Sequence, residues 1–298
     1  MHDAFGAHDP GLGHPERPER YTAVTEAVDS AGARIAEAPP AAPRDLELVH
    51  APAYLELVEG FCRSGGGALD PDTVVSPVSW EAAVRAAGGA VAAVDEVAAG
   101  ARAAFSLGRP PGHHAEPSRA MGFCILNSAA IAAAHARDVL GMDRVAVLDW
   151  DAHHGNGTQA AFWTDPGVLY VSLHQWPFYP GTGAWDESGD GPGEGTTVNV
   201  PLPAGTSQER YLEAFRAEAL PALAAFAPEI LIVSAGFDAH RDDPLCSLGL
   251  NADGFATLTA ELEGIGAGRA FVLEGGYDLA ALRDSLNAVI QAAAQASP

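Results

Sequence analysis

Two kinds of segment alternate along the chain. Short β-branched and apolar runs (Ala104–Leu107, Val145–Asp149, Val168–Leu173, Ile230–Ser234 and Ala270–Leu273) lead into clusters of Gly, Pro, Asp and His. Between them lie longer Ala-rich stretches with apolar residues at helical spacing: Trp80–Ala99, Ile125–Leu140, Gln208–Phe226, Ala252–Ile265 and Leu279–Ala294. Alternation of this kind builds βαβ crossovers and a mostly parallel sheet covered on both faces. The pattern therefore predicts an α/β fold, a single three-layer α/β/α domain spanning residues 1–298. Pro39–Pro43 and Asp186–Gly195 read as surface loops rather than domain linkers, and no internal repeat stands out.

Residues able to do chemistry follow the strands: His113 and His114; Asp149, Asp151 and His153; His174; Asp238 and His240; and Tyr277. In open α/β sheets the ligand crevice lies outside the carboxyl ends of the strands, so these clusters are expected to meet in one place. Asp151 and His153 stand two residues apart just after a strand and project to the same side. A carboxylate oxygen and an imidazole nitrogen so placed suit a divalent cation such as Zn²⁺, with Asp238 as candidate third ligand. Three protein ligands and an open position describe a catalytic metal site. An Asp-X-His pair alone is weak evidence, because such pairs often cap helices. Its weight here comes from a second Asp cluster and a His-His pair, each after its own strand.

Composition narrows the picture. The 298 residues carry 39 acidic and 16 basic side chains, for a net charge of −23, and every basic side chain is an arginine. A hydrophobic content of 48% with 18% charged residues is that of a globular protein, not a disordered acidic one. The negative excess repels phosphate backbones, so no nucleic-acid partner is expected, whereas a polyamine or a basic tail would be attracted. No stretch approaches the ~18 apolar residues of a membrane span, and Met1–Gly13 lacks the features of a signal peptide. Cys62, Cys124 and Cys246 are odd in number and scattered, which fits reduced thiols in a cytoplasm. High Ala with Arg in place of Lys fits a GC-rich bacterial genome. Nothing in the sequence specifies an oligomeric state.

A set of ordered motifs spans almost the whole chain. His14–Arg20 (HPERPER), Arg109–Ala115 (RPPGHHA), Gly122–Asn127 (GFCILN), Asp149–Gln159, Tyr179–Gly183 (YPGTG), Ser234–His240 (SAGFDAH) and Leu273–Tyr277 (LEGGY) resemble the zinc-dependent histone deacetylase family. The similarity is greatest to its bacterial class II-like branch of histone deacetylase-like amidohydrolases and acetylpolyamine amidohydrolases. The arginase-like relatives of that fold hold two manganese ions with Asp-X-His-X-Asp and Asp-X-Asp. Here Gly155 and His240 stand where two of those carboxylates would be, which argues for one metal.

The resemblance implies an arginase/deacetylase-like fold and hydrolysis of an acyl amide by a water activated on Zn²⁺, with Fe²⁺ the alternative ion. It implies His113 and His114 as general base and acid, Asp149 as partner of the first ring and Asn156 as partner of the second, where many relatives carry Asp. An amide raises an imidazole pKa less than a carboxylate does, so His114 is expected to be neutral and the better base. Tyr277 would donate to the oxyanion. The resemblance further implies a K⁺ held around Asp149, Asp151, His153, Ser172 and Leu173, and an acyl channel along Gly122, Phe123, Tyr179, Leu245 and Gly275. Cys124 is expected to be channel wall, and His2, His50 and His135 to serve packing or surface. A polyamine-selective relative carries glutamate where Leu245 stands, and the His8–Arg20 region is short, so acyl-lysine-like amides are favoured. Acetylpolyamines, and a catalytically silent acyl-lysine-binding protein, remain the competing readings. Relatives also place a short strand before the early His-rich loop, whereas this chain reaches His8 almost at once. Either the sheet lacks that edge strand or the start assigned to the chain is too late.

Overall fold

The computed structural model describes residues 1–295. Among the described residues eight strands form: β1 (Gly67–Asp70), β2 (Thr73–Val75), β3 (Ala103–Ser106), β4 (Val145–Asp149), β5 (Val168–Gln175), β6 (Thr197–Leu202), β7 (Ile230–Ala235) and β8 (Gly268–Leu273). The last six make one sheet in the order β3-β8-β7-β4-β5-β6, with every pairing parallel. β1 and β2 form a separate antiparallel hairpin.

Period-two geometry explains why these strands read as unbroken apolar runs. In β4, Val145 and Val147 join a core with the helices Ser79–Ala98 and Ser128–Asp138. Ala146, Leu148 and the following Trp150 point the other way, into a core with the helices Glu19–Ala31, Ala252–Glu261 and Leu279–Gln295. Both faces are covered, giving the three layers expected. Each buried Val, Leu or Ile contributes about 1.5–3 kcal/mol relative to exposure. Because all six strands run the same way, every loop after a strand emerges on one side of the sheet. No helix is long and apolar enough to cross a membrane among the described residues.

Several elements depart from the periodicity. β6 contains Asn199 and Pro201, which break its apolar run, and it lies at the sheet edge where a missing N–H is tolerated. The helix expected from Ile125 begins at Ser128, because the Asn127 side chain accepts from the Ala130 N–H and caps it there. The stretch Gln208–Phe226 contains a π-helical segment, Phe215–Ala219, just before Pro221, whose nitrogen has no hydrogen to donate. The helices Glu19–Ala31 and Pro52–Arg63 were not expected from the pattern. Among the described residues no strand precedes the His-rich loop: Ala4–Ala7 is a short helix and β3 is the sheet edge.

Candidate active site

Asp151 and His153 follow β4 and Asp238 follows β7; the two strands are neighbours, with Asp149 in register with Ser234. One donor atom from each of the three lies within 4.8 Å of the others, and all three residues are buried. His153 Nδ1 is 3.1 Å from Asp151 Oδ1 and 2.9 Å from Asp238 Oδ2. The Gly275 N–H donates to Asp151 Oδ2 at 2.9 Å, and a Cβ on Gly275 would stand 2.4 Å from Asp238 Oδ2. Only glycine permits that approach.

The electrostatics suit a cation. Burial, and then the Asp151 charge, push the Asp238 carboxyl up to about 7. Burial opposes charge on His153 as well, but hydrogen bonds to Asp151 and Asp238 lift it to about 10. Asp151 itself is held well below the carboxylate range, against burial, by His113 and His153. Two buried carboxylates facing one imidazole nitrogen concentrate negative charge that a divalent cation would neutralise. The donor set of two carboxylates and one imidazole is hard and borderline, as Zn²⁺ or Fe²⁺ requires.

His113 and His114 stand beside this centre with ring centroids 4.0 Å apart. His113 Nδ1 donates to Asp149 Oδ2 at 3.0 Å, and the Tyr170 hydroxyl donates to the same oxygen at 3.2 Å. His114 Nδ1 donates to Asn156 Oδ1 at 2.9 Å. Burial works against charge on both rings, but the Asp151 and Asp149 carboxylates raise His113 well above the ordinary imidazole value. For His114, burial and the neighbouring charges of His113 and His153 all act downward, so it falls well below that value.

Tyr277 follows β8, with its N–H donating to Asp243 Oδ2 at 2.7 Å and the Arg20 guanidinium 5.0 Å from its ring centre. Arg20 also donates to the Gly276 and Glu274 carbonyls. The Phe123 ring stands edge-on to Tyr277 at 5.6 Å, and the Tyr179 ring edge-on to His114 at 5.1 Å. Gly122 comes so near the His114 ring that a Cβ would lie 2.4 Å from its Cδ2. Phe123 has φ 67°, and its N–H and that of Gly122 donate to Thr73 Oγ1 and Asp72 Oδ1 on the β1–β2 hairpin. Half-buried Leu245 lines a cavity of 460 Å³ with Tyr277 and the Asp9–Glu19 loop. Cys124 is fully buried, and burial raises its thiol pKa well above the usual value, so it is inert wall.

Beneath the centre, Asp149 is in register with Ser172. Ser172 Oγ lies 2.9 Å from His174 Nδ1, and the Tyr211 hydroxyl reaches the carbonyls of Trp150 and Leu173 at 3.4 Å. All the residues singled out in the sequence for metal, acid–base and oxyanion chemistry thus converge. His240 does not join them: it turns to its own loop, where Nδ1 accepts from the Asp242 N–H. His174 lies one layer out, with Nε2 donating to the Gly183 carbonyl.

Other residues of the site escape sequence reasoning. Glu274 Oε2 accepts from the Gly112 and His113 N–H groups, and its position just after β8 obeys the same rule that picks out Tyr277. The Phe178 ring stacks 5.2 Å from the His153 ring. Asp72, Thr73 and Asp243 reach the site from distant segments and carry no local signal, whereas Arg20 ends the His14–Arg20 motif. His50 and His135 are buried polar links: His50 spans the Glu116 carbonyl and the Asn127 N–H, and His135 spans Asp45 and Asp95.

Residues 14–293 match the histone deacetylase domain. The chain is 43% identical over 276 residues to a histone deacetylase-like amidohydrolase of Pseudomonas aeruginosa, covering 89% of this chain and 73% of that protein. It is 43% identical over 274 residues to a probable deacetylase of Methanothermobacter thermautotrophicus, covering 91% and 82%. Among solved structures, the HDA15 HD domain superposes with a TM-score of 0.95 at 37% identity, covering 99% of this chain and 90% of that one. The acetylpolyamine aminohydrolase from Burkholderia pseudomallei gives 0.92 at 34% identity, covering 99% and 98%. The parallel sheet is therefore that of the arginase–deacetylase fold. With the domain match over nearly its full length and relatives of this identity, the chain belongs to the histone deacetylase family and is a deacetylase of the amidohydrolase type.

Proposed function

We propose that this chain removes acetyl or short acyl groups from lysine-like amides, using a single metal ion held by Asp151, His153 and Asp238. The observation that carries the reading is the convergence of that buried donor set with Tyr277 and with two histidines whose proton affinities are pushed in opposite directions. A bound Zn²⁺, or Fe²⁺, would supply a Lewis acid for the acyl oxygen and lower the pKa of a water. The protein's own groups do the rest. His114, neutral, takes a proton from the attacking water at Nε2; His113, kept protonated by Asp149 and Asp151, gives one to the departing amine. The Tyr277 hydroxyl donates to the oxyanion, and Arg20 and Asp243 hold its backbone and ring for that contact. Phe123 and Tyr179 flank an extended methylene chain. Asp149, Asp151 and His153, with Ser172 and Leu173, form the candidate K⁺ site, and the three free cysteines suit a reducing cytoplasm.

The acetylpolyamine reading is favoured by similarity to the Burkholderia enzyme and by the charge of −23. Against it, Leu245 at the rim is apolar and cannot pair with a distant ammonium. Kinetics on an acetyl-lysine peptide and on acetylputrescine, for the native enzyme and Tyr277→Phe, test both. The expected result is higher kcat/KM on the peptide and a kcat lower by about 10²- to 10³-fold in the variant. Preference for acetylputrescine overturns the substrate assignment, and equal rates in the variant overturn the oxyanion role.

A further inference from the structure

The partner of His114 is a carboxamide, and a carboxamide has two faces of nearly the same shape. With its oxygen toward the ring, as here, Nδ1 must carry the proton and Nε2 is left as a lone pair. With its NH₂ group toward the ring, Nδ1 must accept, the proton moves to Nε2, and the neutral ring can no longer act as a base toward the substrate. Asn156 alone therefore does not determine which of these rings the enzyme has. Its surroundings do. The Asn156 NH₂ group faces three acceptors: Glu116 Oε1 at 2.9 Å, the His114 carbonyl at 3.4 Å and Met121 Sδ at 3.4 Å. Glu116 is the closest of these and the one carboxylate. Its backbone is pinned in turn by a tight turn with Arg119 and by His50, whose Nδ1 donates to the Glu116 carbonyl.

We infer that Glu116 is a positioning residue: acting through Asn156, it fixes His114 in the Nδ1–H tautomer and leaves Nε2 free to accept a proton. The inference rests on the reading of His114 as general base. The division of labour has a physical logic. A carboxylate in direct contact would fix the tautomer and also favour the charged ring, as Asp149 does for His113. A neutral amide in contact, oriented by a carboxylate one residue away, fixes the tautomer without placing a full charge on the ring.

The test compares Glu116→Ala, Glu116→Lys, Asn156→Asp and the double variant Glu116→Lys/Asn156→Asp in the metal-loaded enzyme. The imidazole tautomer is read by long-range ¹H–¹⁵N correlation, with the His114 signals assigned against a His114→Ala sample. The kcat and KM are measured on an acetyl-lysine peptide, and circular dichroism checks the fold. The native ring is expected as Nδ1–H. In Glu116→Lys the new ammonium donates to Asn156 Oδ1, turns the amide and shifts His114 toward Nε2–H, lowering kcat by about 10²-fold or more with little change in KM. Glu116→Ala should lose less, because the His114 carbonyl and Met121 still accept. In the double variant the new carboxylate accepts from Nδ1–H and pairs with the new ammonium, so the native tautomer and most of kcat return. A native Nε2–H ring, an unchanged tautomer in folded Glu116→Lys, or no recovery in a folded double variant overturns the inference. If Glu116→Lys does not fold, an unchanged kcat in Glu116→Ala does so. A native Nδ1–H ring in an enzyme that hydrolyses no amide would overturn the proposed function instead and leave the role of Glu116 standing.

Discussion

His113 and His114 are adjacent in sequence, yet their surroundings push their proton affinities in opposite directions. Both are buried, so burial alone would make both neutral. His113 gains two carboxylates, Asp149 and Asp151, whereas His114 gains an amide and two cationic neighbours. Activity that needs a neutral His114 should therefore persist on the acid side of the ordinary imidazole value. Asn156→Asp places a charge against the ring and raises its pKa, so the acidic limb of kcat/KM should move to higher pH. A pH–rate series on the native enzyme and this variant measures the shift, and an unmoved limb would exclude His114 as the base. The asymmetry was half legible in the sequence, through Asp149 and Asn156. The orientation of Asn156 by Glu116 was not, because it depends on where a turn 40 residues away comes to lie.

At the level of elements, the loops that carry the candidate site are held by hydrogen bonds to side chains of distant segments. Glu274 holds the Gly112 and His113 N–H groups, Asp243 holds the Tyr277 N–H, and His50 ties the 116–119 turn to the loop before the Ser128–Asp138 helix. His50 must be neutral to do so, since Nε2 accepts from the Asn127 N–H while Nδ1 donates. Burial lowers its pKa from 6.5 to about 4. The folded value lies below the unfolded one, so this contribution to stability is full above the unfolded pKa and is lost as pH falls from 6.5 through about 4. The loss amounts to about 3 kcal/mol. Thermal unfolding across that window should show Tm falling with acidification, and His50→Gln should flatten the fall; parallel curves would refute the assignment. Gly275→Ala tests a second element, the turn after β8. Its methyl group would collide with Asp151 and Asp238, so metal affinity measured by calorimetry should drop by tenfold or more. An unchanged affinity would mean that the turn yields more easily than the close packing suggests.

For the molecule as a whole, a net charge of −23 surrounds a site whose substrate, on the proposed reading, is a chain ending in an amide and attached to a basic partner. Steering by that field should make kcat/KM for a cationic substrate fall with ionic strength, while a neutral acetyl amide of the same length changes little. Equal salt dependence would leave the charge with a solubility role only. The architecture behind this field could be read in advance because parallel strands buried on both faces must be apolar throughout, and the polar residues that follow them must gather at one edge of the sheet. On that ground the sequence by itself determined the layered α/β architecture, and it put Asp151, His153, Asp238, the two histidines and Tyr277 in one place. It did not disclose β6, whose Asn199 and Pro201 are acceptable only at an edge. Nor did it disclose the roles of Glu116 and Asp243, or the extent to which neighbouring charges separate the proton affinities of the two histidines. Those depend on which distant loops are brought together by the crossovers, and on how completely water is excluded between them. Only the tertiary structure decides that, because contacts between distant loops leave no local pattern in the chain.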